Sequence, residues 1–306
     1  MVPPGILERN AVAARGIRRR VLQHTLRNGG GYLSQACSSA EILATLYGGV
    51  MDLAPVPAPL LPRPFAGVPS AGNPDCRPGW EFNGPRRPDA DRFILSPTHY
   101  SLILYAALIE AGRMDPSGLD QFNRDGSSVE MIGAEHSPGM EVMTGSLGQG
   151  LSQAIGMALG RRMNGETGRT WLLMSDGEFQ IGMVWEAFQF LSHYAMDAIG
   201  IYVDVNRQQC DGPMESVMGI DPLAGKLAAF GAEVATVDGH DLQALHEAGR
   251  LPHPGRPLVV LCETDPCRGV PELRALGGKL HYLRIKDDAE RRRYEACLAT
   301  LQAGEG

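Results

Sequence analysis

The chain has 306 residues, of which 43% are hydrophobic and 21% charged, with a formal net charge of −7. Length and apolar content suffice for a large buried core, and the apolar share is too high for wholesale disorder. The acidic balance argues against nucleic acid as a partner, because proteins that bind it carry a basic face. No window approaches the roughly 18 apolar residues of a membrane span, and the N-terminal region has no apolar stretch of signal-peptide length, so a cytoplasmic location is expected. Cysteines stand at 37, 76, 210, 262, 267 and 297 without a Cys-x-x-Cys pair, which indicates neither a disulfide framework nor a zinc site.

Along the chain, apolar positions at Leu7, Val12, Ile17, Val21, Leu22 and Leu26 predict a helix over 6–28, closed by Gly29-Gly30-Gly31. A second helix is expected at about Ser39 to Met51. Residues 52–90 contain ten prolines and no periodicity, and read as a surface excursion or else as a lid or partner-docking arm. Asp91 to Ser96 predicts a strand, and Pro97-Thr98-His99 leads into a helix to about Ala111. That puts His99 at a strand-to-helix junction, where free backbone N–H groups attract anions. A short helix is expected near Ser117–Phe122. The glycine-rich run Thr144-Gly-Ser-Leu-Gly-Gln-Gly150 opens another helix; it matches neither the Rossmann fingerprint nor a P-loop. Strands at Thr170–Met174 and Ile199–Val205 enclose one helix, and a helix, strand and helix follow over 222–248. A strand at Pro257–Glu263 and a helix at about Asp288–Leu301 complete the α/β alternation. Arginine runs at 18–20 and 291–293 read as solvated helix faces.

The organising feature is a pair of strand ends. Asp176-Gly177 stands where one strand must stop, and Asn206 ends the next, 30 residues later, with room for one crossover helix. In a βαβ unit both strand tips emerge on the same edge of a parallel sheet, the edge at which ligands bind. A carboxylate and a carboxamide there, with the Gln208 carbonyl just beyond, are hard oxygen donors suited to Mg²⁺ or Ca²⁺ that takes its other ligands from water and a diphosphate. Either residue alone would be ordinary turn chemistry.

The combination resembles the thiamine-diphosphate signature of the transketolase family, whose usual form is Gly-Asp-Gly followed by about thirty residues and Asn. The Thr144–Gly150 run, Val184-Trp-Glu-Ala187, Asp211-Gly-Pro213 and Val237-Asp-Gly-His-Asp241 are similar to family blocks in family order. The resemblance implies a three-layer thiamine-diphosphate-binding α/β fold, a mainly parallel sheet flanked by helices, with 1–306 forming one diphosphate-binding domain. It implies cofactor contacts by His99, Gly145, Ser146, Leu147, Ser175, Asp176, Gly177, Glu178, Asn206 and His281, and a metal held by Asp176, Asn206 and Gln208. Glu186 matches a member of a carboxylate network between active sites, unless it is a solvent-facing helix residue. His136 either takes the role of a substrate-contacting histidine or is merely exposed. Asp238-Gly239-His240-Asp241 reads as a turn with an N-cap rather than as catalytic.

Two positions depart from the family pattern. Tyr32 stands where transketolases carry a histidine near the sugar, and tyrosine, titrating near ~10, cannot shuttle protons at neutrality. Ile181 replaces a glutamate of the network. The family's cofactor-activating glutamate belongs to a pyrimidine-binding domain with no counterpart in these residues. The expected protein is therefore the N-terminal subunit of a split transketolase, with a partner chain of similar length in an α₂β₂ assembly, acting on a sugar or sugar phosphate. A 2-oxo acid dehydrogenase first component, a deoxyxylulose phosphate synthase-like subunit and a non-catalytic regulatory subunit remain as alternatives.

Overall fold

A computed structural model describes residues 2–304 except residue 69. Five strands form a fully parallel sheet: β1 (Arg92–Leu95), β2 (Thr170–Ser175), β3 (Ile199–Val205), β4 (Glu233–Asp238) and β5 (Leu258–Glu263), in the order β1-β2-β3-β5-β4. Parallel strands require crossovers, and the crossover helices cover both faces. Alternation along each strand divides the apolar side chains between two cores. Phe93, Leu95, Trp171, Leu173 and Tyr202 meet α1 (Ile6–Asn28), α2 (Leu33–Thr45) and α3 (Ser101–Glu110) on one side. Ile94, Leu172, Met174, Ile201 and Val203 meet α4 (Gln149–Met163), α5 (Gly182–His193) and α6 (Leu223–Ala229) on the other. Helices α7 (Leu242–Ala248) and α8 (Asp288–Ala303) complete the first layer. The expected three-layer arrangement is therefore the one observed. Among the described residues no helix is long and apolar enough to cross a membrane.

The differences from expectation have local causes. Helix α2 begins at Leu33, not near Ser39, and passes into a π-turn at Leu46–Val50. Its serines, which alone would favour a loop, find partners inside the protein: Ser34 Oγ donates to Leu280 O (2.7 Å) and Ser38 Oγ to Asp204 Oδ2 (2.6 Å). The proline-rich segment has no regular structure beyond a 3₁₀ turn at Gly79–Asn83, yet main-chain bonds tie it down. Leu60 N donates to Arg113 O (2.9 Å), Phe65 N to Gly126 O (2.8 Å) and Gly79 N to Glu135 O (2.6 Å). At Gly79 a Cβ would lie 1.7 Å from Ser137 O, so only glycine allows that approach.

The arginine run at 18–20 is not a solvated face at its first member. Arg18 is 5% exposed and forks onto Glu41. Glu41 Oε2, which Arg18 also reaches, accepts from His240 Nδ1 at 3.0 Å, and His240 Nε2 accepts from Asp265 N at 2.8 Å. His240 therefore carries its proton on Nδ1 and braces α2 against the turn after β4. Asp241 caps α7 as expected, accepting from Gln243 N and Ala244 N. Burial opposes ionisation of Glu41, but the hydrogen bond from His240 and the Arg18 pair outweigh it and hold its carboxyl down at about 2. A depressed carboxylate stabilises the fold at neutral pH and loses that contribution as pH falls through the window between its ordinary and folded values. Glu41→Gln should thus cost about 3 kcal/mol at pH 7. The gap from wild type should close as pH drops from 4.5 towards about 2. Urea unfolding at several pH values measures it, and a gap that does not change with pH would rule out the ionic origin.

Candidate active site

Strands β2 and β3 pair in register up to Ser175 and Asp204, so Asp176 and Asn206 leave the sheet at neighbouring corners of one edge. Beyond β2 the chain makes a 3₁₀ turn, Asp176–Gln180, closed by a capping box between Ser175 and Glu178. Glu178 Oε2 accepts from Ser175 N at 2.8 Å, and Oε1 accepts from Gly148 N at 3.0 Å and from Ser96 Oγ. One buried carboxylate thus joins the ends of β1 and β2 to the glycine-rich run. It does not line the cleft, so the cofactor contact expected of Glu178 becomes a positioning role. Thr144 Oγ1 donates to Leu95 O at 2.6 Å and fixes the other end of the run. Gly150 lies so close to Ser96 that a Cβ would meet its Oγ at 2.4 Å.

Asp176 is 1% exposed, and its Oδ2 accepts from Arg207 N at 2.7 Å. The Arg207 side chain points away, to Asp221 and Glu263. Asn206 is oriented through both ends of its carboxamide. Its Nδ2 donates to Asp204 Oδ2 (3.0 Å) and Tyr100 OH (3.2 Å), and its Oδ1 accepts from Gln208 N (3.0 Å). Asp204 also accepts from Ser38 Oγ (2.6 Å), Tyr100 OH (2.8 Å) and Thr264 Oγ1 (2.6 Å). Burial, and then the neighbouring Asp204, push the Asp176 carboxyl up to about 8. Burial also raises Asp204, against the pull of its four side-chain donors. Gln208 Oε1 is buried without a hydrogen-bond partner.

Asp176, Asn206 and Gln208 line one wall of a cleft of about 410 Å³. Tyr32, His99 and His281 form another, with ring centroids 5.4 Å apart for Tyr32–His99, 5.3 Å for Tyr32–His281 and 5.2 Å for His99–His281. Gln35 Nε2 donates to His281 O at 2.9 Å, which ties the C-terminal loop to α2. Burial, assisted by His281, lowers His99 to about 3, and burial lowers His281 as well, so both imidazoles are neutral at pH 7 in the ligand-free protein. Gly145 and Leu147 form the lip, where Leu147 is 39% exposed, and no Lys or Arg lines the cleft. A cleft with neutral histidines, a buried acid and no fixed cation is not by itself complementary to a diphosphate. Its oxygen donors are of the kind that could accommodate a divalent cation. Among the described residues no group of three or more His, Cys, Asp and Glu side chains is placed to hold a metal. The donor set here is of the other kind, one carboxylate with neutral oxygens from Asn206 and Gln208.

Of the site residues expected from sequence, Tyr32, His99, Gly145, Leu147, Ser175, Asp176, Gly177, Asn206, Gln208 and His281 meet at this cleft. Ser146 is exposed and outside the lining, and Glu186 is exposed on α5. His136 lies elsewhere, with Nε2 3.1 Å from Glu130 Oε2 and its ring 4.4 Å from Phe65, because the loop 130–140 docks on the proline-rich segment. Ile132 is the member of that loop that reaches the cleft. Sequence reasoning also missed Asp204, Gln35 and Tyr100. Asp204 left a signal: it is the one charged residue in the apolar run Ile199–Val205, two positions before Asn206 and so on the same side of the strand.

The family model described as transketolase, thiamine diphosphate binding domain, matches residues 80–288. A putative uncharacterized transketolase family protein of Sinorhizobium fredii is 36% identical over 277 residues, covering 89% of each chain. The 6-deoxy-6-sulfo-D-fructose transketolase subunit SqwG of a Clostridium species is 31% identical, covering 83% of each chain. The human transketolase-like protein 2 is 34% identical over 85% of this chain, which spans only 38% of that protein's length. In structure, transketolase from Campylobacter jejuni superposes with a TM-score of 0.70 at 19% identity, covering 99% of this chain and 48% of that one; at that identity the likeness shows the fold. With the sequence matches and the cleft in agreement, the chain belongs to the transketolase family and carries its thiamine-diphosphate-binding domain.

Proposed function

We propose that this chain is the diphosphate-binding subunit of a transketolase-type transferase, in which 1–306 forms one domain and a second chain supplies the pyrimidine-binding domain. The observation that carries the reading is the buried Asp176 beside Asn206 on adjacent strand tips, facing a cleft without Lys or Arg. Asp176, Asn206 and Gln208 would hold Mg²⁺, with Ca²⁺ as a possible substitute; Gln208, whose side-chain oxygen is buried without a hydrogen-bond partner, lines the same cleft. A divalent ion restores the charged form of Asp176 that burial disfavours. His99 and His281, on the facing wall of the cleft, would donate hydrogen bonds to the diphosphate. Bound thiamine diphosphate supplies a nucleophilic carbon for moving a two-carbon ketol unit from a ketose donor to an acceptor. Tyr32 stays protonated, since burial raises its phenol, and it orients the sugar as a hydrogen-bond donor without shuttling protons.

Support for a partner comes from the relatives. The chain spans 38% of human transketolase-like protein 2, while a relative of comparable length is itself named a subunit. Exposed Leu147 and Ile132 at the lip of the cleft offer apolar surface for a second chain to cover, and an α₂β₂ assembly would place it there. Co-expression with a candidate C-terminal subunit, followed by mass spectrometry of products from a ketose donor, tests the activity. A two-carbon-extended acceptor is expected, whereas release of carbon dioxide from a 2-oxo acid would reassign the reaction.

Two variants test the site itself. Asp176→Ala should abolish Mg²⁺-dependent binding of thiamine diphosphate in a fluorescence titration while thermal unfolding stays cooperative; unchanged affinity would refute the metal assignment. His281→Ala should weaken cofactor binding by about 10-fold or more, the equivalent of one charge-assisted hydrogen bond. An affinity equal to wild type would remove His281 from the diphosphate site.

A further inference from the structure

A second cavity, of about 250 Å³, adjoins the cofactor cleft, with Tyr32 and His99 as the shared wall. Its other sides are built from His24 on α1, Leu102 on α3, and Phe122, Met131 and Tyr282 from loops. The consecutive residues Met131 and Ile132 place one apolar side chain in each cavity.

Neither lining contains Lys or Arg, and no Asp or Glu lines the side pocket. His24 stands edge-on to Phe122 at 4.6 Å, and its Nε2 lies 2.5 Å from Asn28 Nδ2, which can only donate, so that nitrogen accepts. Burial, aided by Arg27, lowers His24 to about 4. Two cations held by other partners are absent from the lining. Arg27 pairs with Asp120 at 2.6 Å, and Arg284 lies over the Tyr282 ring at 4.9 Å.

We propose that this side pocket receives the non-reacting end of the substrate and selects a short, uncharged apolar or aromatic group over a phosphate. The inference rests on the adjoining cleft being the cofactor site. A phosphate dianion seated among these side chains would lose its hydration with no counter-charge in return, a cost far beyond what the pocket walls could offset. An aromatic or aliphatic group is instead stabilised by apolar area removed from water, and faces rings that favour edge-to-face contact. The volume is just under the roughly 300 Å³ at which pockets for drug-sized molecules begin, which suits one ring or a short chain. Tyr32 and His99, bordering both spaces, would set the distance between that group and the reacting carbonyl.

Benzyl alcohol and benzyl phosphate form a matched pair of probes, differing in charge and not in ring. With the purified chain labelled at its methionine methyl groups, millimolar benzyl alcohol should shift the Met131 methyl signal, assigned from Met131→Leu, and receive saturation transfer. Benzyl phosphate should do neither, and Met131→Trp, which fills the pocket, should abolish the benzyl alcohol response. Benzyl phosphate perturbing the Met131 methyl as strongly, or benzyl alcohol leaving it unmoved, would overturn the proposal. Should Met131→Trp not fold, the methyl shift in the wild-type chain decides alone. Thiamine diphosphate with Mg²⁺, titrated into the same samples, should bind wild type and Met131→Trp alike. Its failure to bind either would overturn the substrate role together with the reading of the cleft, and is distinguishable because the probes need no cofactor.

Discussion

The buried Asp204 carboxylate holds this site together. It accepts hydrogen bonds from Asn206 at the tip of its own strand and from three segments remote in sequence, through Ser38 on α2, Tyr100 before α3 and Thr264 after β5. A carboxylate in such a place is costly unless its lone pairs are filled, and here all its partners are neutral donors. Its effect on chemistry is indirect. By taking up the Asn206 nitrogen it leaves that side chain's oxygen on the side of Gln208, and after burial itself it is the neighbour that most opposes ionisation of Asp176.

The cleft itself is lined by neutral imidazoles, oriented amides and an acid whose ionisation burial opposes, with no Lys or Arg. Such a lining is inexpensive to fold, because few of its groups bear the cost of a buried charge. Glu178 follows the same logic on the far side, where it spends its acceptor capacity on Ser96, Ser175 and Gly148 to fix the glycine-rich run.

Much of this was legible in the chain. The β-branched runs ending at Ser175 and Val205, with one helix's length between them, put Asp176 and Asn206 on one edge by period and topology alone. The strands and most helix limits followed from the same periodicity. What could not be read depended on tertiary partners. The serines at the start of α2 favour a loop until Leu280 and Asp204 accept their hydroxyls, and Arg18 is one arginine among three until Glu41 faces it. Ile132 and not His136 reaches the cleft, because which residue of the 130–140 loop does so is decided by where the proline-rich segment docks. Asp204 carried a signal, a lone acid in a buried strand, that strand-end chemistry overshadowed.

The last stretch of the chain does not simply trail off the core. Gly30 and Gly31 form a two-residue antiparallel ladder with Arg284 and Leu283, Ile285 N donates to Gly29 O at 2.9 Å, and Arg291 reaches Leu26 O at 2.7 Å. His281 and Tyr32, the residues just inside that clasp, are far apart in sequence and meet over the cleft. A nascent chain therefore cannot close this wall of the cleft until His281 has been made and the segment around it has folded back onto Gly30 and Gly31. Any ligand that touches both residues would stabilise that long-range closure and not one segment alone.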